Sequence, residues 1–176
     1  MHGESVLERR FWRYWLAGIL LLAAQIVVNV WLVTDVAAFG ISDHQAAGSA
    51  IRVDAIQASW KASALMILAI FSMMLDCLFI GVYTWGAYAG GRLFASSHSA
   101  LLSRLGKVIV ITAVGFCAAD YAETISQLVQ AIRGQGSDSL AYVAATMRPV
   151  KTIAFLVTFF GLLMALYIRR TTRRAG

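Results

Sequence analysis

Charge is scarce in this sequence. Asp, Glu, Lys and Arg make up 14% of its 176 residues, where soluble domains carry about 25%. So low a content argues against a water-exposed enzyme surface, a disordered chain or a fibrous repeat. Cysteine occurs twice, as Cys77 and Cys117, each inside an apolar run. A disulfide framework would need cysteines in the loops, so none is expected. The three histidines, His2, His44 and His98, fall in the tail or in loops. That placement excludes a histidine pair ligating a membrane-embedded haem, and two thiols without a neighbouring histidine make a poor zinc site. No metal and no cofactor are expected.

Apolar residues, in contrast, are 60% of the chain and the mean hydropathy is +0.72. At ~20 residues per helical crossing, a chain of this size suits four crossings with short loops. The apolar runs place the spans at about 12–34, 62–89, 107–130 and 149–168, within a single membrane domain, 1–176. The first run follows Arg9, Arg10 and Arg13 and is longer than the ~7–15 residues of a signal-peptide core, so a retained span is expected. The fold class predicted is all-α: a polytopic integral membrane protein, a four transmembrane helix bundle with short amphipathic helices in the outer loops. In the first loop Ile51, Val53, Ile56 and Trp60 recur near helical spacing. In the second, Asp138 is placed to cap a short helix carrying Leu140, Val143 and Met147. Extension of the second and fourth spans outward is the competing reading. Pro149 fits the first helical position of the fourth span, where its missing N–H costs nothing. Trp12, Trp15, Trp60 and Trp85 read as belt residues at the membrane interfaces.

The net charge is +6 and its distribution is uneven. Arg9, Arg10, Arg13, Arg92, Arg104, Lys107, Arg169, Arg170, Arg173 and Arg174 all fall on the side of the termini and the 90–106 connector. The opposite side has Arg52, Lys61, Arg133, Arg148 and Lys151, diluted by Asp35, Asp43, Asp54 and Asp138. The positive-inside rule then predicts both termini in the cytoplasm and a location in the cytoplasmic (inner) membrane. The basic face reads as a topology signal drawn to anionic head groups, and nucleic acid is not expected as a direct partner. The expected partners are the lipid bilayer and either a protein partner or further copies of the chain.

Within the cytoplasmic connector, 90–106, Gly91-Arg92-Leu93-Phe94-Ala95 is followed by Leu102-Ser103-Arg104-Leu105-Gly106. Glycine permits a close turn there, Phe94 can plug the end of the bundle, and a serine among Ser96–Ser99 can cap a short helix holding Leu101, Leu102 and Leu105. This stretch resembles the inner loop of a domain-of-unknown-function family of small bacterial four-span membrane proteins, with its Gly-x-x-Phe-Ser pattern and Leu-Arg-x-x-Gly-like helix. Ala95 stands where that family has Ser or Thr. The matching positions are Gly91, Phe94, Arg104 and Gly106, and the resemblance covers about 20 residues and the span layout. Some relatives are encoded beside helix-turn-helix regulators, so the resemblance implies a signalling or regulatory partner and no catalytic activity.

Three carboxylates fall where composition alone predicts none: Asp76 in the second span, Asp120 and Glu123 in the third. An aspartate at the bilayer centre costs about 2.5–3.5 kcal/mol on insertion scales, so these groups should face the bundle interior. Asp120, Glu123 and Gln127 share one helix face, as do Gln25 and Asn29 in the first span. Together they predict a polar seam running from the midplane to the outer mouth. It could be a proton or cation pathway, two carboxylates within ~4–6 Å raising each other's pKa. Alternatively it is a hydrogen-bond network gluing helices together, with Tyr121 and Thr124 as further partners. An intramembrane aspartyl hydrolase lacks any supporting motif. Gly86 and Gly90, Gly115 and Ala119, and Gly161 and Ala165 are small-residue spacings that allow close helix packing. The leading expectation is a non-enzymatic accessory or regulatory membrane protein. The alternative is a small proton- or cation-linked transporter or channel using the carboxylate cluster.

Overall fold

The computed structural model describes the backbone of residues 2–175 and the side chains of 6–172. The elements are α1 (His2–Val30), α2 (Ile41–Gln45), α3 (Ala50–Ala62), α4 (Met66–Ala95), α5 (Ala100–Arg133) and α6 (Asp138–Ala175). The chain is all-helical among the described residues, and α1, α4, α5 and α6 are each long and apolar enough to cross a membrane. This is the four-helix membrane architecture that the hydropathy predicts. The long helices run on past the expected spans, so that only four residues, 96–99, separate α4 from α5. The short helix expected inside the 90–106 connector is the first two turns of α5 rather than a separate element.

The two loops before α4 and α6 fold differently from one another. In the first, α2 and α3 are helices in their own right. Ser49 caps α3, its Oγ accepting from Arg52 N at 3.4 Å, and α3 ends before α4 begins. The break is a left-handed residue, Ala64 at φ 57°, with Leu65 N donating back to Trp60 O at 2.7 Å. This is a six-to-one closure of the kind that glycine usually supports. Gly134, at φ 66°, closes α5 in the same way, with Gln135 N donating to Gln130 O.

In the second loop no separate helix forms. The segment after Asp138 is the start of α6, and Pro149 lies inside that helix instead of opening it. Proline there leaves the Ala145 carbonyl without its helical donor. The helix persists because its first turns are anchored by tertiary contacts, with Ala141 and Ala144 buried. Asp138 does not cap its own helix: its Oδ1 accepts from Ala50 N at the start of α3 (2.7 Å), while Asp54 on α3 accepts from Gly136 N.

Contacts group the chain into two compact units, and each long helix contributes a segment to both. Unit 1 comprises 1–19, 81–117 and 151–176; unit 2 comprises 20–80 and 118–150. In unit 1 the four helices meet through rings: Phe11 on Phe94, Trp15 on Phe159, and Tyr83 on both Phe116 and Phe155. Glycine brings the backbones close. A Cβ on Gly86 would land on the Trp15 backbone, and one on Gly90 would lie 2.6 Å from Phe11 Cδ2. Gly161 faces Ile109 at 3.1 Å, but Gly115 meets nothing within 4 Å among the described residues, so its expected packing role is not found. Small-residue spacing on α5 does not say which side has a neighbour.

Unit 2 has a core of Leu32, Ala37, Ile56, Trp60, Ala69, Met73 and Ala131. Trp60 is fully buried there, and its indole N–H donates to Leu32 O at 2.9 Å. Trp15 is also buried, at 7% exposure, while Trp12 and Trp85 remain exposed. The belt reading therefore fails for Trp60 and Trp15, because aromatic sequence positions near a span end do not reveal which side of the helix faces protein.

Candidate functional site

The polar residues of the apolar spans are held together in unit 2. Asp76, on α4, is half-buried and receives one donor on each oxygen: Gln25 Nε2 from α1 to Oδ1 at 2.5 Å, and Thr124 Oγ1 from α5 to Oδ2 at 2.7 Å. One carboxylate thus ties three helices. Ser72, a turn earlier on α4, adds a long bond to Gln25 Oε1 (3.4 Å), and Tyr121 OH donates to Cys77 O (3.0 Å).

Asp120 and Glu123 are buried, at 2% and 0% exposure. Glu123 Oε1 accepts from Gln127 Nε2 one turn along α5 (3.1 Å). Such burial is what a polar group in an apolar helix requires, since a carboxylate facing hydrocarbon has no solvation to offset its charge. Gln130 extends the face further, donating to Ser126 O and accepting from Ser137 N at the start of α6.

Asn29 leaves the seam. It lies in the last turn of α1, where its Oδ1 accepts from Ile41 N (2.8 Å) and its Nδ2 donates to Phe39 O (3.3 Å). It organises the turn into α2, where Gly40 at φ 60° brings its backbone against the Asn29 amide. The i, i+4 spacing with Gln25 is real, but a residue at a helix end is free to serve the loop that follows.

Sequence reasoning passed over a second polar cluster, formed by α2 and α3. His44 is 1% exposed, stacked on Trp60 with ring centroids 5.4 Å apart, and its Nε2 lies 3.3 Å from Gln57 Nε2. Burial pushes its pKa down to about 4, against a smaller opposing influence from Gln127. The imidazole is therefore neutral at pH 7. Ile56 and Trp60, one helical turn apart and both buried, were the available sequence signal; nothing in the sequence tied His44 to them.

In unit 1 the connector glycines explain their own spacing. A Cβ on Gly106 would collide with Ala95 N and lie 2.6 Å from Gly91 O, and one on Gly91 would lie 3.0 Å from Gly106 O. The two glycines permit α4 and α5 to touch backbone to backbone beside the turn. Phe94 is buried against Phe11, while Arg104 is exposed. Comparison with family models, with curated proteins and with solved structures found no match for the chain.

Proposed function

We propose that this chain is a non-enzymatic accessory or regulatory protein of the bacterial cytoplasmic membrane, with both termini in the cytoplasm. The observation that carries the reading is the coordination of Asp76. Both of its oxygens accept hydrogen bonds from neutral side chains of other helices, the arrangement of a structural tie. The orientation rests on charge: ten Lys and Arg flank the spans on the side of the termini and the 90–106 connector, against five on the other side. The resemblance to the four-span family rests on Gly91, Phe94, Arg104 and Gly106 of the connector sequence.

A second reading, a proton- or cation-linked carrier, draws on the two buried carboxylates of α5. Proteoliposomes containing the purified chain separate the two. The accessory reading expects proton and potassium leak equal to that of empty liposomes. A flux present in the wild type and abolished in Asp76→Asn or Glu123→Gln would overturn it in favour of the carrier. Cysteine accessibility at position 98 tests the orientation, since labelling from outside intact cells contradicts it.

A further inference from the structure

Unit 1 contains a cavity of about 330 Å³ beside the α4–α5 turn. Its lining combines the buried apolar side chains of Leu93, Phe94 and Leu102, each at most 5% exposed, with the Ser96–Ser99 turn and with Arg169 and Thr172 of α6. Among the described residues no carboxylate lines it. Arg169 is held from outside the lining by Glu8, whose two oxygens take Nη1 and Nη2 at 2.9 and 3.2 Å. This fork fixes the guanidinium while leaving further N–H groups, since the group has five. Not every hydroxyl of the lining is free to donate: Ser96 donates to Leu93 O and Thr172 to Ile168 O. Ser97 accepts from Ser99 N, which leaves its own proton for another acceptor. The helix segments that meet at this turn also carry Arg92, Arg104, Lys107 and Arg170.

From these features we infer that the cavity binds the phosphate of a phospholipid whose headgroup is net anionic, a cationic headgroup being disfavoured beside Arg169, beyond anything the accessory reading requires. A phosphate, with several acceptor oxygens, suits the N–H groups of Arg169 that Glu8 leaves over. The lining mixes apolar side chains with polar ones, as an amphiphile needs and a soluble anion does not. Inorganic phosphate shares the polar chemistry and is the other source of such a group.

The test uses the full chain in detergent micelles, with lipid retention read by native mass spectrometry. Phosphatidylglycerol is expected to be retained about tenfold more strongly than phosphatidylcholine, and Arg169→Gln should remove that preference. Glu8→Gln keeps the arginine and frees it from its partner, so retention should be equal or stronger. Ser97→Ala, which leaves the ion pair intact, should weaken retention about threefold and keeps the test open if Arg169→Gln does not fold. Inorganic phosphate, at millimolar concentration, should fail to displace the lipid. The inference is overturned if both lipids are retained equally, if Glu8→Gln loses as much as Arg169→Gln, or if phosphate alone displaces the lipid.

Discussion

Units 1 and 2 are built from segments of the same four long helices, yet they are held together by different chemistry. Unit 1 is packed with rings and glycines: Phe11, Trp15, Tyr83, Phe94, Phe116, Phe155 and Phe159 meet across helices, and Gly86, Gly91 and Gly106 let backbones touch. Unit 2 relies on Asp76, Gln25 and Thr124 between helices, and on the Asp54 and Asp138 exchange between loop elements. Close packing in an apolar medium gains only dispersion energy, so it needs small residues at the contact. Carboxylates and amides gain from exclusion of water but must be satisfied, which restricts them to positions where two helices supply donors. One set of helices can therefore carry a rigid, shape-determined segment and a polar, charge-sensitive one.

The sharpest way to break this contrast is through the glycines. Gly86→Ala sets a methyl group on the Trp15 backbone and should cost about 3 kcal/mol, the upper range for overpacking, because main chain cannot rotate aside. Gly115→Ala, on α5 with nothing near its Cβ, should cost nothing measurable or stabilise slightly through helix propensity. Unfolding of both variants in detergent, followed by circular dichroism, gives the comparison. Equal losses would mean that glycine matters here for some reason other than helix contact.

Acid should act on unit 2 through His44. Its folded pKa of about 4 lies below the ordinary 6.5, so the unfolded state binds more protons between those values. Stability from the neutral, buried ring is complete above about pH 6.5, is lost progressively as the pH falls towards 4, and changes no further below that. At pH 5 the loss from this one group is about 2 kcal/mol. His44→Phe keeps a ring on Trp60 and removes the titration, so the difference in unfolding midpoint between wild type and variant should shrink or widen with pH in this window alone. A pH-independent difference would show that the histidine is already charged or already solvated.

Hydropathy made the four long helices legible, because a run of apolar residues at bilayer length admits few other structures. The burial of Asp120 and Glu123 was legible for the same reason: a carboxylate in such a run has nowhere else to go. What pairs with what was not. Gln25 and Asn29 have identical spacing arguments, yet one bonds Asp76 and the other organises the Phe39–Ile41 turn, because α1 ends at Val30 and the loop competes for the amide. Pro149 looked like a helix start since a missing N–H is free only there, but tertiary anchoring at Asp138 outweighed the one lost bond. Periodicity marks an apolar face without saying what covers it, and for that reason Trp60 and Gly115 exchanged the roles expected of them: the belt residue is core and the packing residue is exposed.

The smallest measurable loss is expected at the Asp76 tie. Thr124→Val removes one of its two donors while preserving shape, and interhelical hydrogen bonds in membranes average about 0.6 kcal/mol. Asp76→Asn keeps an acceptor for only one of the two partners and offers an amide to the other, so its cost should be of the same size. If the carboxylate serves only as a structural tie, the double variant should lose little more than either single one, since both changes act on the same Thr124 contact. Losses that add in full would place Thr124 and Asp76 in separate interactions. A single Asp76→Asn loss above about 2 kcal/mol would mean that the charge itself, and not the bond to Thr124, holds α1, α4 and α5 together in unit 2.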